Sequence, residues 1–310
     1  MSRVTHWFPL WALLLSAVAW LVPAPFAAAR DAIVPLLAIV MLGMGMTLVP
    51  ADFVAVARRP ALVALGLVLQ YTVMPAAALL VARTLGLSSE QTVGMVLVGA
   101  SSGGTASNVI AYLARANVAL SVALTACSTL LAVVALPSLT WLLVGRTVPV
   151  PATQMLMTVA QVALGPVLAG MLLRQALGAR IARVQPWLPV LSIVAICVII
   201  AIIVALNHDS IATAGLTMLV AVCLHNAIGL AGGYGAARLL GSDRRNARTI
   251  AIETGMQNSG LAVALAVKFF TPAAALPGAL FSIWHNVTGS LLAGWWSRRP
   301  AVSANESASG

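Results

Sequence analysis

Glu253-Thr-Gly-Met-Gln-Asn-Ser-Gly260 interrupts an apolar run that extends from about residue 247 to 268. A second polar stretch, Gly99-Ala-Ser-Ser-Gly-Gly-Thr-Ala-Ser-Asn108, lies at an offset of 154 residues within another apolar run, 89–114. Glycine and short polar side chains weaken a helix, and both stretches concentrate them in the middle of segments long enough to cross a bilayer. Unwound backbone at that depth is tolerated only where protein buries it or where it lines a cavity. Paired interruptions at equivalent positions therefore predict two broken helices around an internal binding site.

The rest of the chain has the composition such an arrangement needs. It has 310 residues, of which 61% are hydrophobic and 8% charged, whereas soluble domains carry about a quarter charged residues. There is too little polar surface for a water-exposed globule, so the fold class is an all-α membrane protein. Cutting the apolar runs at charges, prolines and glycines predicts ten transmembrane helices. They run over about 7–27, 31–49, 61–82, 89–114, 117–144, 153–175, 186–206, 212–237, 247–268 and 273–296. Ser88 and Ser242 stand before the fourth and ninth spans.

The net charge of +10 is spread singly or in small groups through the gaps, which is how membrane loops are charged and not how a nucleic-acid face is built. Alternate gaps divide the 17 Lys and Arg unevenly: Arg30, Arg83, Arg146 and Lys268 fall on one side and the other thirteen on the opposite side. The positive-inside rule then puts both termini in the cytoplasm. Arg3, the run from Trp7 to Phe26 and Ala27-Ala28-Ala29 have the outline of a signal peptide; the stretch reads as a retained first span because the helix count requires it. Residues 301–310 read as a disordered tail, leaving 1–300 as one transmembrane unit. Cys127, Cys197 and Cys223 lie within apolar runs and read as small buried hydrophobes.

The halves resemble each other. Pro35-Leu-Leu-Ala-Ile-Val parallels Pro189-Val-Leu-Ser-Ile-Val, and Ser88 parallels Ser242, both at an offset of 154; Ala82-Arg-Thr-Leu-Gly86 parallels Ala237-Arg-Leu-Leu-Gly241 with a slip of one. Each half, approximately 7–145 and 153–296, holds five spans. Five is odd, so the second copy enters the membrane inverted, an arrangement typical of secondary transporters.

Glu253 is the single acidic residue in the interior of a predicted span. A carboxylate in a bilayer is costly unless paired or protonated, and no Lys or Arg is predicted at its depth. A bound cation is the simplest partner. Ser121, Thr125 and Ser128 share one face of the fifth span, and the first interruption supplies Ser107 and Asn108. Hydroxyls, amides, freed carbonyls and one carboxylate suit a hard cation such as Na⁺; no Cys or His cluster suggests a transition metal. Coupling to protons through Glu253 is the alternative. Gln70 and Pro75 interrupt the third span, while His225-Asn226 and His285-Asn286 sit in the eighth and tenth; an interhelical hydrogen bond is the simpler reading of each histidine. No triad or metal spacing supports an intramembrane enzyme.

Gly43-Met-Gly-Met-Thr47-Leu, Gly103-Gly-Thr-Ala-Ser-Asn108 with Tyr112-Leu-Ala-Arg115, Glu253-Thr-Gly-Met-Gln-Asn-Ser259 and Phe281-Ser-Ile-Trp-His-Asn286 together resemble the bile acid:sodium symporter family, most closely its bacterial members. The resemblance covers essentially the whole chain. It implies a multi-pass protein of the bacterial inner membrane, with a core of helices 3–5 and 8–10, a panel of helices 1, 2, 6 and 7, and helices 4 and 9 crossing where they break. It implies two sodium ions and no organic cofactor. The first sodium site would use Ser107, Asn108, Ser121, Thr125 and Glu253; the second would use Gln70, Glu253, Gln257 and the carbonyls of Thr254 and Met256. Thr105, Asn258, His285 and Asn286 would contact an organic anion, bile-acid-like or small, such as pantoate or ketopantoate. No obligate protein partner is implied. Relatives often carry proline before the Gly-Gly pair, where this chain has Ser102, so the resemblance leaves the break point of helix 4 open.

Overall fold

The computed structural model describes residues 8–49, 59–104 and 106–299. Thr105 and the 301–310 tail lie outside the described residues. Regular structure among them is helical: α1 Phe8–Leu21, α2 Pro23–Ala28, α3 Ile33–Thr47, α4 Pro60–Thr84, α5 Ser89–Gly99, α6 Ala106–Leu113 and α7 Val118–Val144 in the first part of the chain. The second part contributes α8 Ala152–Leu177, α9 Leu188–Leu206, α10 His208–Leu239, α11 Arg244–Gly255, α12 Ser259–Phe269 and α13 Pro272–Ser297. Among the described residues, six segments are long and apolar enough to cross a membrane: Arg30–Thr47, Pro60–Thr84, Val118–Val144, Ala152–Leu177, Gln185–Leu206 and Gly215–Leu239. Leucines such as Leu80, Leu142, Leu172, Leu216 and Leu291 are exposed, while Gln70, Ser107, Ser121, Thr125, His225, Glu253 and Gln257 are buried. That distribution suits lipid outside and a polar interior. The protein is a multi-pass, all-helical membrane protein.

Prolines set several local features. The expected first span is two helices, because Pro23 starts α2 and Val22 leaves the helical conformation. A π turn over Leu69–Val73 in α4 closes with the Met74 N–H on the Leu69 carbonyl, just before Pro75, which has no N–H to donate. A second, over Ala160–Leu164 in α8, closes with Gly165 on Ala160 before Pro166. These turns carry one residue more than an α turn and frequently mark functional sites.

Capping fixes the starts of the paired helices. Ser88 and Gln91 form a reciprocal capping box at α5. The equivalent cap of α11 is Asp243, whose side chain accepts from the Asn246 N–H. Ser242, the serine paired with Ser88 on identity, is thus one residue early; Asp caps as well as Ser, so the cap moved while the serine did not. The preceding left-handed glycines, Gly86 (φ 64°) and Gly241 (φ 79°), keep the same offset of 155. Asn117 caps α7 and Thr271 caps α13, at an offset of 154.

Helices α3 and α8 pack so closely that a Cβ on Gly45 would fall 2.1 Å from the Val167 carbonyl oxygen. Asn207 alone separates α9 from α10; its Nδ2 donates to the Ile203 carbonyl at 2.9 Å.

Candidate functional site

The two interruptions meet. Helix α5 stops at Gly99 and α6 begins at Ala106; α11 stops at Gly255 and α12 begins at Ser259. Between them Gly103 and Gln257 form an antiparallel bridge. The Gly104 N–H donates to the Met256 carbonyl, and the Asn258 N–H donates to the Ser102 carbonyl, each at 2.8 Å. Ser102 already bonds across to the second interruption, so the first break is complete before the Gly-Gly pair. Glycine is required here by proximity: a Cβ on Gly103 would lie 2.8 Å from Glu253 Oε2, and one on Gly104 would lie 2.8 Å from the Gln257 carbonyl oxygen. Unwound backbone inside a membrane thus satisfies itself across the contact.

Glu253, in the last turn of α11, is 4% exposed. Ser107 and Ser121 each donate to its Oε1 at 2.5 Å, and Thr125 donates to Oε2 at 2.8 Å. Asn108 Oδ1 lies 2.9 Å from Ser121 Oγ and 3.4 Å from Thr125 Oγ1. Ser107 Oγ is also 2.6 Å from the Gly104 carbonyl oxygen, and Thr125 Oγ1 is 3.1 Å from that of Ser121. A hydroxyl has one hydrogen to give. Three hydroxyl hydrogens therefore face five acceptor oxygens: two from Glu253, one from Asn108 and the carbonyls of Gly104 and Ser121. The cluster is oxygen-rich and short of positive charge. Arg248, one and a half turns earlier on α11, points away, to the carbonyls of Ala114 at 3.2 Å and Arg299 at 2.7 Å and over the Trp296 ring. Lone pairs converging around a carboxylate that lacks an ion pair among the described residues form a setting for a hard cation.

A second polar group lies alongside. Gln70, in the π turn of α4, donates through Nε2 to the Ser101 carbonyl and to Gln257 Oε1, each at 2.5 Å. Gln257 Nε2 donates to the Thr254 carbonyl at 2.6 Å. The structure brings together Gln70, Gln257 and Thr254 of the expected second set. It leaves Glu253 bonded to the hydroxyl cluster instead, and the Met256 carbonyl accepts from Gly104. Ser128 shares its helix face with Ser121 and Thr125, but its hydroxyl accepts from the Gly103 N–H at 3.2 Å and donates to the Thr125 carbonyl at 3.1 Å. It braces the loop and does not touch the carboxylate.

Of the residues expected to meet an organic anion, the described ones make their contacts within the protein. Asn258 uses Oδ1 to cap α12 at Leu261 and turns Nδ2 toward the Met41 sulfur at 3.7 Å. Asn286 donates to the Ser282 carbonyl one turn back on its own helix. His285 is buried, with its ring edge against Phe281 and Nδ1 without a hydrogen-bond partner. His225 Nε2 is 3.0 Å from the Met74 carbonyl oxygen, the interhelical bond expected for it. Sequence reasoning gave no role to Asn226 beyond its place beside His225. It ties the end of α11 to α13, donating to the Gly255 carbonyl at 2.8 Å and accepting from Thr288 Oγ1 at 2.9 Å. The only available signal was an amide in an apolar span, which must find partners wherever packing places it.

Comparison with known proteins agrees with this chemistry. The Sodium Bile acid symporter family matches residues 34–214. The uncharacterized sodium-dependent transporter YocS of Bacillus subtilis (strain 168) is 40% identical over 301 residues, covering 96% of this chain and 94% of the relative. The probable chloroplastic sodium/metabolite cotransporter BASS1 of Oryza sativa subsp. japonica is 41% identical over 295 residues, covering 94% and 73% respectively. The chain belongs to the sodium bile acid symporter family. It is a membrane transporter and not an enzyme, and its family implies sodium as the coupling ion.

Proposed function

We propose that this transporter imports an organic anion together with sodium by alternating access, and that its ten spans form two inverted five-helix repeats. Support for the inversion comes from the crossing itself. Gly104 to Met256 and Asn258 to Ser102 exchange identities when 154 is added or subtracted, and Gly103 faces Gln257 at the same offset. A contact that maps onto itself under the repeat is what a pseudo-two-fold axis through the crossing would produce. The left-handed glycines and the helix caps recur at nearly the same offset. In this reading the core is α4–α7 with α10–α13, the panel is α1–α3 with α8 and α9, and both termini are cytoplasmic in a bacterial inner membrane.

The observation that carries the proposal is the Glu253 cluster, a carboxylate and three hydroxyls with more acceptors than protons. Ser107, Asn108, Ser121, Thr125 and Glu253 would hold one sodium ion. Gln70, Gln257 and the Thr254 and Met256 carbonyls would take a second after rotation of the two amides, with Glu253 shared. Sodium bound here would neutralise the carboxylate and fix the crossing. Asn258, His285 and Asn286, with Thr105 as a further contact read from the sequence, would then receive the anion. The family name supports a bile-acid-like molecule and the rice relative's label a metabolite; a small acid such as pantoate or ketopantoate is the candidate within that second class.

The test needs no identified substrate. Purified protein is melted in NaCl and in KCl at equal ionic strength. Sodium is expected to raise Tm because it binds the folded state, and Glu253→Gln is expected to remove the difference. Equal melting in both salts sinks the sodium reading. Stabilisation by acid alone, equal in both salts, would assign Glu253 to proton coupling instead.

A further inference from the structure

Arg30 and Lys268 line one cavity of about 260 Å³, together with Asp31, Ile33, Val34 and Val267. They are two of the four basic residues on the sparsely charged face. Each reaches across the seam between the proposed units. Arg30, in the turn before α3 of the panel, donates through Nη2 to the Val267 carbonyl of the core at 2.9 Å. Lys268, at the end of α12 of the core, donates to Thr158 Oγ1 of α8 in the panel at 3.0 Å. At the same face Trp20 of α1 stacks on His208 of α10, ring centroids 4.0 Å apart. On the opposite face, Arg174, Arg245 and Arg248 bond within their own unit instead. Arg174 donates to Met46 in the panel, while Arg245 and Arg248 donate to Ala116 and Ala114 in the core.

Both cations hold the seam through neutral acceptors, a carbonyl and a hydroxyl. Lys268 also lies over the Phe269 ring at 5.4 Å. A carboxylate would turn each of these contacts of a cation with a neutral oxygen into an ion pair, with donor and acceptor both charged. Asp31 on the cavity wall offsets one of the two charges and leaves a net positive site. We propose that Arg30 and Lys268 form a clasp that receives the carboxylate of the incoming anion, and that trading their neutral partners for that carboxylate frees the seam. This rests on the symport reading and on the panel and core division given above.

Ile33 is fully buried and lines the cavity, so a cysteine placed there reports its opening. Full-length protein carrying Ile33→Cys is purified and treated with a maleimide, and modification at residue 33 is followed by peptide mass spectrometry. Arg30→Gln with Lys268→Gln is expected to raise the labelling rate about tenfold, as losing two hydrogen bonds that hold a minor open state closed should do. Replacing sodium chloride by sodium acetate, the simplest carboxylate probe, is expected to raise the rate with the clasp intact and to do nothing in the double variant. An unchanged rate in the double variant overturns the clasp. A rate blind to acetate, or equally sensitive in both backgrounds, overturns the carboxylate site. Sodium-dependent stabilisation is measured in the same samples. Its absence from the parent would sink the symport reading, whereas its presence with unchanged labelling sinks the clasp alone. If the double variant is not stabilised by sodium, Lys268→Met alone replaces it, with the same two outcomes.

Discussion

The break after α5 and the break after α11 solve one steric problem with opposite chemistry. Both end a helix within the buried core and both supply one strand of the same antiparallel contact. The first offers mostly backbone: Gly103 and Gly104 bring no side chain, and Ser102 gives its carbonyl. The second offers side chains: Glu253, Gln257 and Asn258. At the offset of 154, Gly99 stands where the second half has Glu253, and Gly103 stands where it has Gln257. Like charges sharing a site oppose one another's ionisation, and a Cβ at 103 would collide with the carboxylate. The backbone can be duplicated, but the charge can be placed only once.

Removing that charge should therefore have the largest effect. Glu253→Gln keeps the shape of the side chain and is expected to weaken sodium binding at least a hundredfold, about 2.7 kcal/mol, by calorimetric titration. An affinity within a factor of three of the parent would show that the two breaks share the ion equally. Gly103→Ala tests the steric side. Overpacking of this kind costs about 1–3 kcal/mol, so Tm should fall and sodium stabilisation shrink. Gly260→Ala should do much less, because the added Cβ would meet the end of the Leu37 side chain at 3.2 Å and Asn258 Oδ1 at an ordinary 3.8 Å. Equal losses would mean that closeness at Gly103 is not what couples the breaks.

The amide pair comes next. Gln70→Ala or Gln257→Ala leaves the facing amide oxygen buried without its donor, at about 1–3 kcal/mol each. The double variant should lose less than the sum, read as a coupling in a thermodynamic cycle by denaturant unfolding. Additive losses would place the two amides in separate environments. The smallest change is expected from Asn258→Ala, which removes the α12 cap for about 1 kcal/mol. A loss of transport far beyond the loss of Tm would point to anion contact as well.

The positions of both breaks were legible in the sequence, because glycine and polar residues clustered in the middle of an apolar run sustain a regular helix poorly. So was the gathering of Ser107, Asn108, Ser121 and Thr125 about Glu253, since helical spacing puts Ser121 and Thr125 on one face and the break delivers the other two. Other features depend on geometry that periodicity does not carry. The division of the first span at Val22 follows from Pro23, a residue that also sits harmlessly in the first turn of many helices. Ser128 shares the right face, yet its hydroxyl is drawn to the Gly103 N–H, which only the unwound loop presents. Asn226 was invisible because its partners, the Gly255 carbonyl and Thr288, come from two other helices.

The junction at Asn207 bears on how such a molecule would move. In the proposed division, α9 belongs to one unit and α10 to the other, and a single residue joins them. One residue spans at most ~3.6 Å of extended chain, so the units cannot slide apart at that corner. Any rearrangement between them must swing about it, as a door does about its pin, with displacement growing with distance from Asn207. Lengthening this link would let a slide replace the swing.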